Sequence, residues 1–158
     1  MKKLLEPYGK VILTLDNPKQ LYSEFTKEGR KKNLQYRCDV ANKVDGQSVF
    51  ISIHANAHDD ENVSGYEIFV TNKSGDRYKL AQCIMKAAED ILSVGHTIKN
   101  RGVKEAGFYV LNHTKMPAIL IEHEFYTNDE AVIKLKDNEF RQRCADHIFK
   151  GLLNYMRE

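Results

Sequence analysis

The sequence predicts an α/β fold: a mostly parallel sheet flanked by helices on both faces, in a three-layer sandwich. Three observations predict it. Short β-branched runs recur along the 158 residues, and stretches with apolar residues at helical spacing lie between them. Several of the runs are apolar on both faces, as strands of a covered parallel sheet are.

Lys10 to Leu15 (KVILTL) reads as the first strand. Leu34, Cys38 and Ala41 then share one face of an amphipathic helix. Val49 to His54 (VFISIH) and Tyr66 to Val70 (YEIFV) have strand length and strand composition. Asp76 to Leu92 is a second amphipathic helix, with Leu80, Ile84, Ala87 and Ile91 on its apolar face. Val94 to Gly107, the least regular part of the middle, reads as a surface loop near the mouth of any site, and Arg101 belongs to it. Phe108 to Leu111 (FYVL) and Ala118 to Phe125 (AILIEHEF) read as further strands. Asn128 is placed to cap a helix that opens with Asp129 and Glu130, acidic residues that suit its positive end. Ile133, Phe140, Cys144, Ile148, Leu152 and Tyr155 continue that segment as one helix or a broken pair.

A chain of this length is one domain, residues 1–158, able to bury about 70% of the surface its unfolded form exposes. The net charge is +2 with Lys and Arg scattered, so neither nucleic acid nor an acidic membrane is called for as a partner. Apolar runs fall far short of the roughly 20 residues that cross a bilayer, and Glu6-Pro7 interrupts the start before any signal-like core develops. The expectation is a chain without an export signal, cytoplasmic until released or exported. Cys38, Cys83 and Cys144 are far apart and each lies in a helical segment, which points to buried free thiols.

In a parallel sheet, ligands bind where the chain leaves the carboxyl ends of the strands. His54 sits at such an end, followed by the small Ala55 and by Asn56. It can be a metal ligand, a general base or a polar cap on a buried strand. Glu122 lies near the end of Ala118-Ile-Leu-Ile-Glu, where a carboxylate between apolar neighbours must be paired, metal-bound or held neutral. Together they suit metal-assisted hydrolysis, in which zinc lowers the pKa of bound water to about 7 and a carboxylate takes the proton. An ion pair with a helix Lys or Arg is the structural alternative for Glu122. No G-x-S-x-G elbow and no Gly-rich phosphate loop is present.

Taken in order, V-I-L-T, R-C-D-V-A-N (Arg37 to Asn42), S-I-H-A-N-A (Ser52 to Ala57), G-Y-E-I-F-V, R-G-V-K-E-A-G-F-Y-V-L (Arg101 to Leu111) and P-A-I-L-I-E-H-E-F-Y-T-N (Pro117 to Asn128) resemble the zinc-dependent N-acetylmuramoyl-L-alanine amidases of the amidase-3 type. These are hydrolases of bacterial cell walls, autolysins and phage endolysins among them. The resemblance implies peptidoglycan as the partner and cleavage of the amide between the lactyl group of N-acetylmuramic acid and L-alanine. It implies His54 as a zinc ligand, Glu122 as the catalytic carboxylate and Arg101 as a residue that helps hold substrate, with a cap or salt bridge as Arg101's other reading.

The family's Asp-x-Gly-His-Gly block and the helical glutamate that follows it have no counterpart here, so the expected fold lacks the family's first strand, and two of the three protein ligands for zinc are absent. His58, His113 and His123 are the possible substitutes; His123 should point to the opposite face of its strand from Glu122. His96 and His147 read as surface or helix positions without a site role. The alternative to an enzyme is a non-catalytic relative that binds peptidoglycan or a partner and has lost its zinc site.

Overall fold

A computed structural model describes residues 1–15, 26–92 and 98–158. His96 lies outside these residues. In chain order the elements are α1 (Lys2–Leu5), α2 (Lys27–Asn42), β1 (Phe50–Asn56), β2 (Tyr66–Val70), α3 (Gly75–Leu92), β3 (Asn100–Glu105), α4 (Tyr109–Asn112), β4 (Ala118–Phe125), α5 (Asp129–Lys136) and α6 (Asn138–Arg157).

The four strands form one sheet in the order β1-β4-β2-β3. β1 runs parallel to β4 and β2 parallel to β3, but β2 is antiparallel to β4, so the sheet is mixed. The carboxyl ends of β1 and β4 therefore meet the amino ends of β2 and β3 along one rim.

Alternation along the strands divides the core into two layers. Tyr66, Ile68, Val70, Ile119 and Ile121 face Leu80 and Ile84 of α3 and Phe140, Ile148 and Leu152 of α6. On the other face Phe50, Ala118 and Leu120 pack with Cys38 and Ala41 of α2 and with Val110 and Leu111 of α4. Helices thus cover both faces. At the crossing of α3 and α6 a Cβ on Gly151 would stand 2.5 Å from the Ile84 Cα, so only glycine lets the two backbones come this close.

Side-chain caps explain where several helices begin. The Thr26 hydroxyl accepts from the Gly29 N–H at 3.0 Å, and Asn128 Oδ1 accepts from the Ala131 N–H at 2.9 Å. The final segment is a broken pair because Asp137 is extended (φ −73, ψ 128) and caps α6 by accepting from the Glu139 and Phe140 N–H groups.

Three expectations are corrected. Lys10 to Leu15 carries no strand, and Ile12 and Leu13 are 39% and 46% exposed, since a β-branched run extends only against a neighbour that pairs with it. Phe108 to Leu111 is not a strand either: Phe108 starts a single helical turn, which carries both Val110 and Leu111 into the same core layer. Finally, much of the expected loop is strand β3. Between Tyr66↔Asn100 and Ile68↔Val103 the register slips by one residue, and Gly102, at φ +78, takes the backbone twist of that bulge.

The three thiols are free, with Cys38 and Cys144 buried and Cys83 half-buried. Among the described residues no helix is long and apolar enough to cross a membrane.

Candidate active site

Ser52 and His54 of β1, Leu120 and Glu122 of β4, and Glu67 and Phe69 of β2 all face the layer covered by α2 and α4. His54 is the register partner of Glu122 on one side, and Glu67 is its partner on the other. The three side chains therefore form one row across three strands, with neighbouring Cα atoms about 5 Å apart. The two residues singled out from the sequence are brought together, and a third, not anticipated, joins them.

Glu122 is 7% exposed, and its Oε2 is buried with no hydrogen-bond partner among the described residues. Among the described residues no ion pair reaches it; there Lys104 pairs with Glu67 and Lys134 with Glu124. Burial first, and then the negative charge of Glu67, push the Glu122 carboxyl up to about 7.

Glu67 has the opposite balance. Burial would raise its pKa, but hydrogen bonds from Lys104 and Arg101, with their charges, outweigh that and hold it low. Its Oε2 accepts from Arg101 Nε at 2.8 Å and from Lys104 Nζ at 2.5 Å, while Oε1 accepts from Asn56 Nδ2 at 2.7 Å. The bulge at Arg101-Gly102 lies opposite Glu67 and turns the Arg101 side chain to it. Arg101 thus takes the salt-bridge reading, and its guanidinium also lies 5.1 Å from the centre of the Phe125 ring.

His54 stands on the exposed rim, and its Nε2 lies 2.7 Å from the Ser52 hydroxyl. Loss of hydration, and then the charge of Arg37, lower its pKa, which keeps the imidazole neutral near pH 7. Arg37 reaches this site from α2, with its Nε buried and without a partner among the described residues.

The other histidines do not join the row. His58 Nδ1 accepts from the Asp60 N–H at 3.0 Å in the loop after β1, and His113 stacks on Tyr109 with ring centres 3.9 Å apart, near the amino end of β4. His123 faces the opposite layer, where its Nε2 lies 3.0 Å from His147 Nε2. His147 is on a helix as expected, but it is fully buried and not on the surface. Among the described residues no three His, Cys, Asp or Glu side chains are grouped so as to hold a metal ion. Among the described residues His54 is the one imidazole at the site, and a catalytic zinc takes three protein donors, so those residues do not fit that ion.

Glu67, Lys104 and Arg37 were missed in the sequence, and Asn56 was noted only as the neighbour of His54. The signal for Glu67 was present: a glutamate between Tyr66 and Ile68 on an apolar strand is the same kind of observation that picked out Glu122.

Comparison with known proteins places the fold among its relatives. The sequence profile of the N-acetylmuramoyl-L-alanine amidase family matches residues 1–154. Over 127 residues the chain is 34% identical to the N-acetylmuramoyl-L-alanine amidase LytC of Bacillus subtilis (strain 168), a match covering 79% of this chain and 25% of that protein. It is 28% identical over 159 residues to the germination-specific N-acetylmuramoyl-L-alanine amidase of the same organism, covering 98% of this chain and 65% of that one. The chain thus spans between a quarter and two thirds of the length of these two relatives. Among solved structures, the CwlD amidase of Clostridioides difficile, determined in complex with the GerS lipoprotein, superposes with a TM-score of 0.87 at 27% identity, covering 99% of this chain and 80% of that one. The catalytic domain of CwlV from Bacillus (Paenibacillus) polymyxa gives 0.79 at 25% identity, with coverage of 99% and 78%. The chain belongs to the N-acetylmuramoyl-L-alanine amidase family.

Proposed function

We propose that this chain carries the catalytic face of a peptidoglycan hydrolase that cuts the amide between the lactyl carbonyl of N-acetylmuramic acid and the nitrogen of L-alanine. The observation that carries this reading is the pairing of a neutral, rim-exposed His54 with a buried Glu122, whose Oε2 has no partner among the described residues, on adjacent strands of the family's fold.

Glu122 is the acid–base group. With a pKa of about 7 it is partly ionised at neutral pH and can both take and return a proton. Its carboxylate takes a proton from the water that attacks the lactyl carbonyl carbon. The carbonyl–nitrogen bond then breaks, and the same carboxyl delivers the proton to the departing alanine nitrogen. His54 offers a neutral ring nitrogen at the rim, and Arg101 pairs with Glu67 in the same row. In the family zinc supplies the electrophile, with His54 at the position of one ligand. Because the described residues provide a single imidazole, no step here is routed through the metal.

The test is release of stem peptides from purified peptidoglycan by the chain and by Glu122→Gln, with and without added zinc, alongside metal analysis of the purified protein. The expected result is hydrolysis that falls by about 10²–10⁴-fold in the variant. Full activity in Glu122→Gln would remove the carboxyl from the chemistry. Binding to peptidoglycan without hydrolysis or metal would favour the non-catalytic relative.

A further inference from the structure

Glu67 does more than sit beside Glu122: it gathers two cations at the same rim. One buried carboxylate, 3% exposed, is shared by Arg101 and Lys104, whose side chains are 22% and 38% exposed. The three groups together keep a net charge of +1 at the edge of the site. Arg101 uses only its Nε on Glu67, and no hydrogen bond engages its Nη atoms among the described residues. Aromatic rings hold both cations in place. The guanidinium lies over Phe125, and Lys104 Nζ is 6.0 Å from the centre of the Phe69 ring, itself packed edge-on against Phe108. A guanidinium fork with free donors beside an ammonium group is a carboxylate-recognising pair.

Resting on the amidase reading, the geometry points to Arg101 and Lys104 as a subsite for the free α-carboxylate of the second residue of the stem peptide. The substrate's own chemistry selects that group. The glycan side of the scissile bond is uncharged, since the lactyl carboxyl is tied up in the amide, so the anions all lie on the peptide side. Spacing agrees as well. β2 is about 5 Å from β4 and β3 about 10 Å, and two extended peptide residues span about 7 Å. A peptide leaving Glu122 across β2 therefore brings its second residue over the Glu67 cluster, which directs the sugar the other way, over His54 and β1.

The probes are two muramyl tripeptides that differ only in whether the second residue carries a free α-carboxylate or its carboxamide. Dissociation constants are measured by calorimetry for the whole chain at pH 7, and again in 0.5 M salt. The acid is expected to bind about tenfold tighter than the amide, with the ratio shrinking in salt. Lys104→Met and Arg101→Gln should each bring the ratio towards one, and Arg101→Lys, which keeps charge but loses the fork, should fall between. Equal binding of the two probes, binding of neither, or an unchanged ratio in both variants with unaltered circular dichroism would overturn the subsite. Hydrolysis of peptidoglycan without discrimination leaves the amidase reading standing while this inference fails; discrimination without hydrolysis does the reverse.

Discussion

Glu67 and Glu122 face each other across β2 and β4 as a pair of carboxylates, and the cations go to one of them. Glu67 is ionised and pinned, and its charge helps keep the proton on Glu122. Environment separates two chemically similar acids into a fixed anion and a titrating group.

Removing the anion should lower the affinity of its partner for protons. In Glu67→Gln the Glu122 pKa is expected to fall below about 7, yet to stay above the ordinary carboxylate value, because burial is the larger cause of the shift. A general base gains activity as pH rises through its pKa. The acid limb of the pH–rate profile should therefore move to lower pH, which stopped assays between pH 4 and pH 8 would read; a limb that stays in place would refute the coupling.

Glu122 should also weaken the fold at high pH. Its folded pKa is raised, so the native state binds the proton more tightly than the unfolded chain, and stability falls as pH climbs from about 4.5 to about 7. Glu122→Gln escapes that loss. Urea denaturation at pH 8 should find the variant more stable, by up to about 3 kcal/mol, and little changed at pH 4.5.

The buried His123 and His147 pair predicts acid sensitivity from the other core layer. Burial holds His123 down at about 4, and burial together with the charge His123 would carry holds His147 lower still. Both folded values lie below the unfolded one. Their contribution is complete above about pH 6.5 and is lost as pH falls towards 4. Melting temperatures from pH 7 to pH 4 should drop less steeply in His123→Gln than in the parent chain. Parallel slopes would count against this origin.

Gly151→Ala tests the crossing of α3 and α6. The added methyl meets backbone, the Ile84 Cα at 2.5 Å, so the helices must part. A loss of about 1–3 kcal/mol in chemical denaturation is expected, despite alanine's better helix propensity.

Much of this was legible in the sequence where one residue type and its neighbours decide the outcome. β2 and β4 lie between the bounds that their apolar runs suggest; His54 and Glu122 stood out as polar residues closing apolar runs, although β1 continues to Asn56 and β4 to Phe125. β3 was hidden because Asn100, Arg101, Gly102 and Lys104 read as loop; a strand so polar is specified by its partner β2. The four residues from Phe108 suit a strand or a turn, and tertiary packing chose the turn. Glu67's role could not be read locally either, since its cations lie 34 and 37 residues further along the chain.

The extra residue of β4 has a consequence for how this protein can vary. From His54↔Glu122 to Asn56↔Phe125, β4 advances three positions while β1 advances two. That offset deals Glu122, His123 and Glu124 to three destinations: the row with His54, the His147 contact, and the anchor for the Gly65 N–H and Lys134. Shortening the tripeptide by one would misdirect all three ionisable groups at once. The length of β4 between Glu122 and Phe125 is therefore set by the three partners that these side chains must each reach.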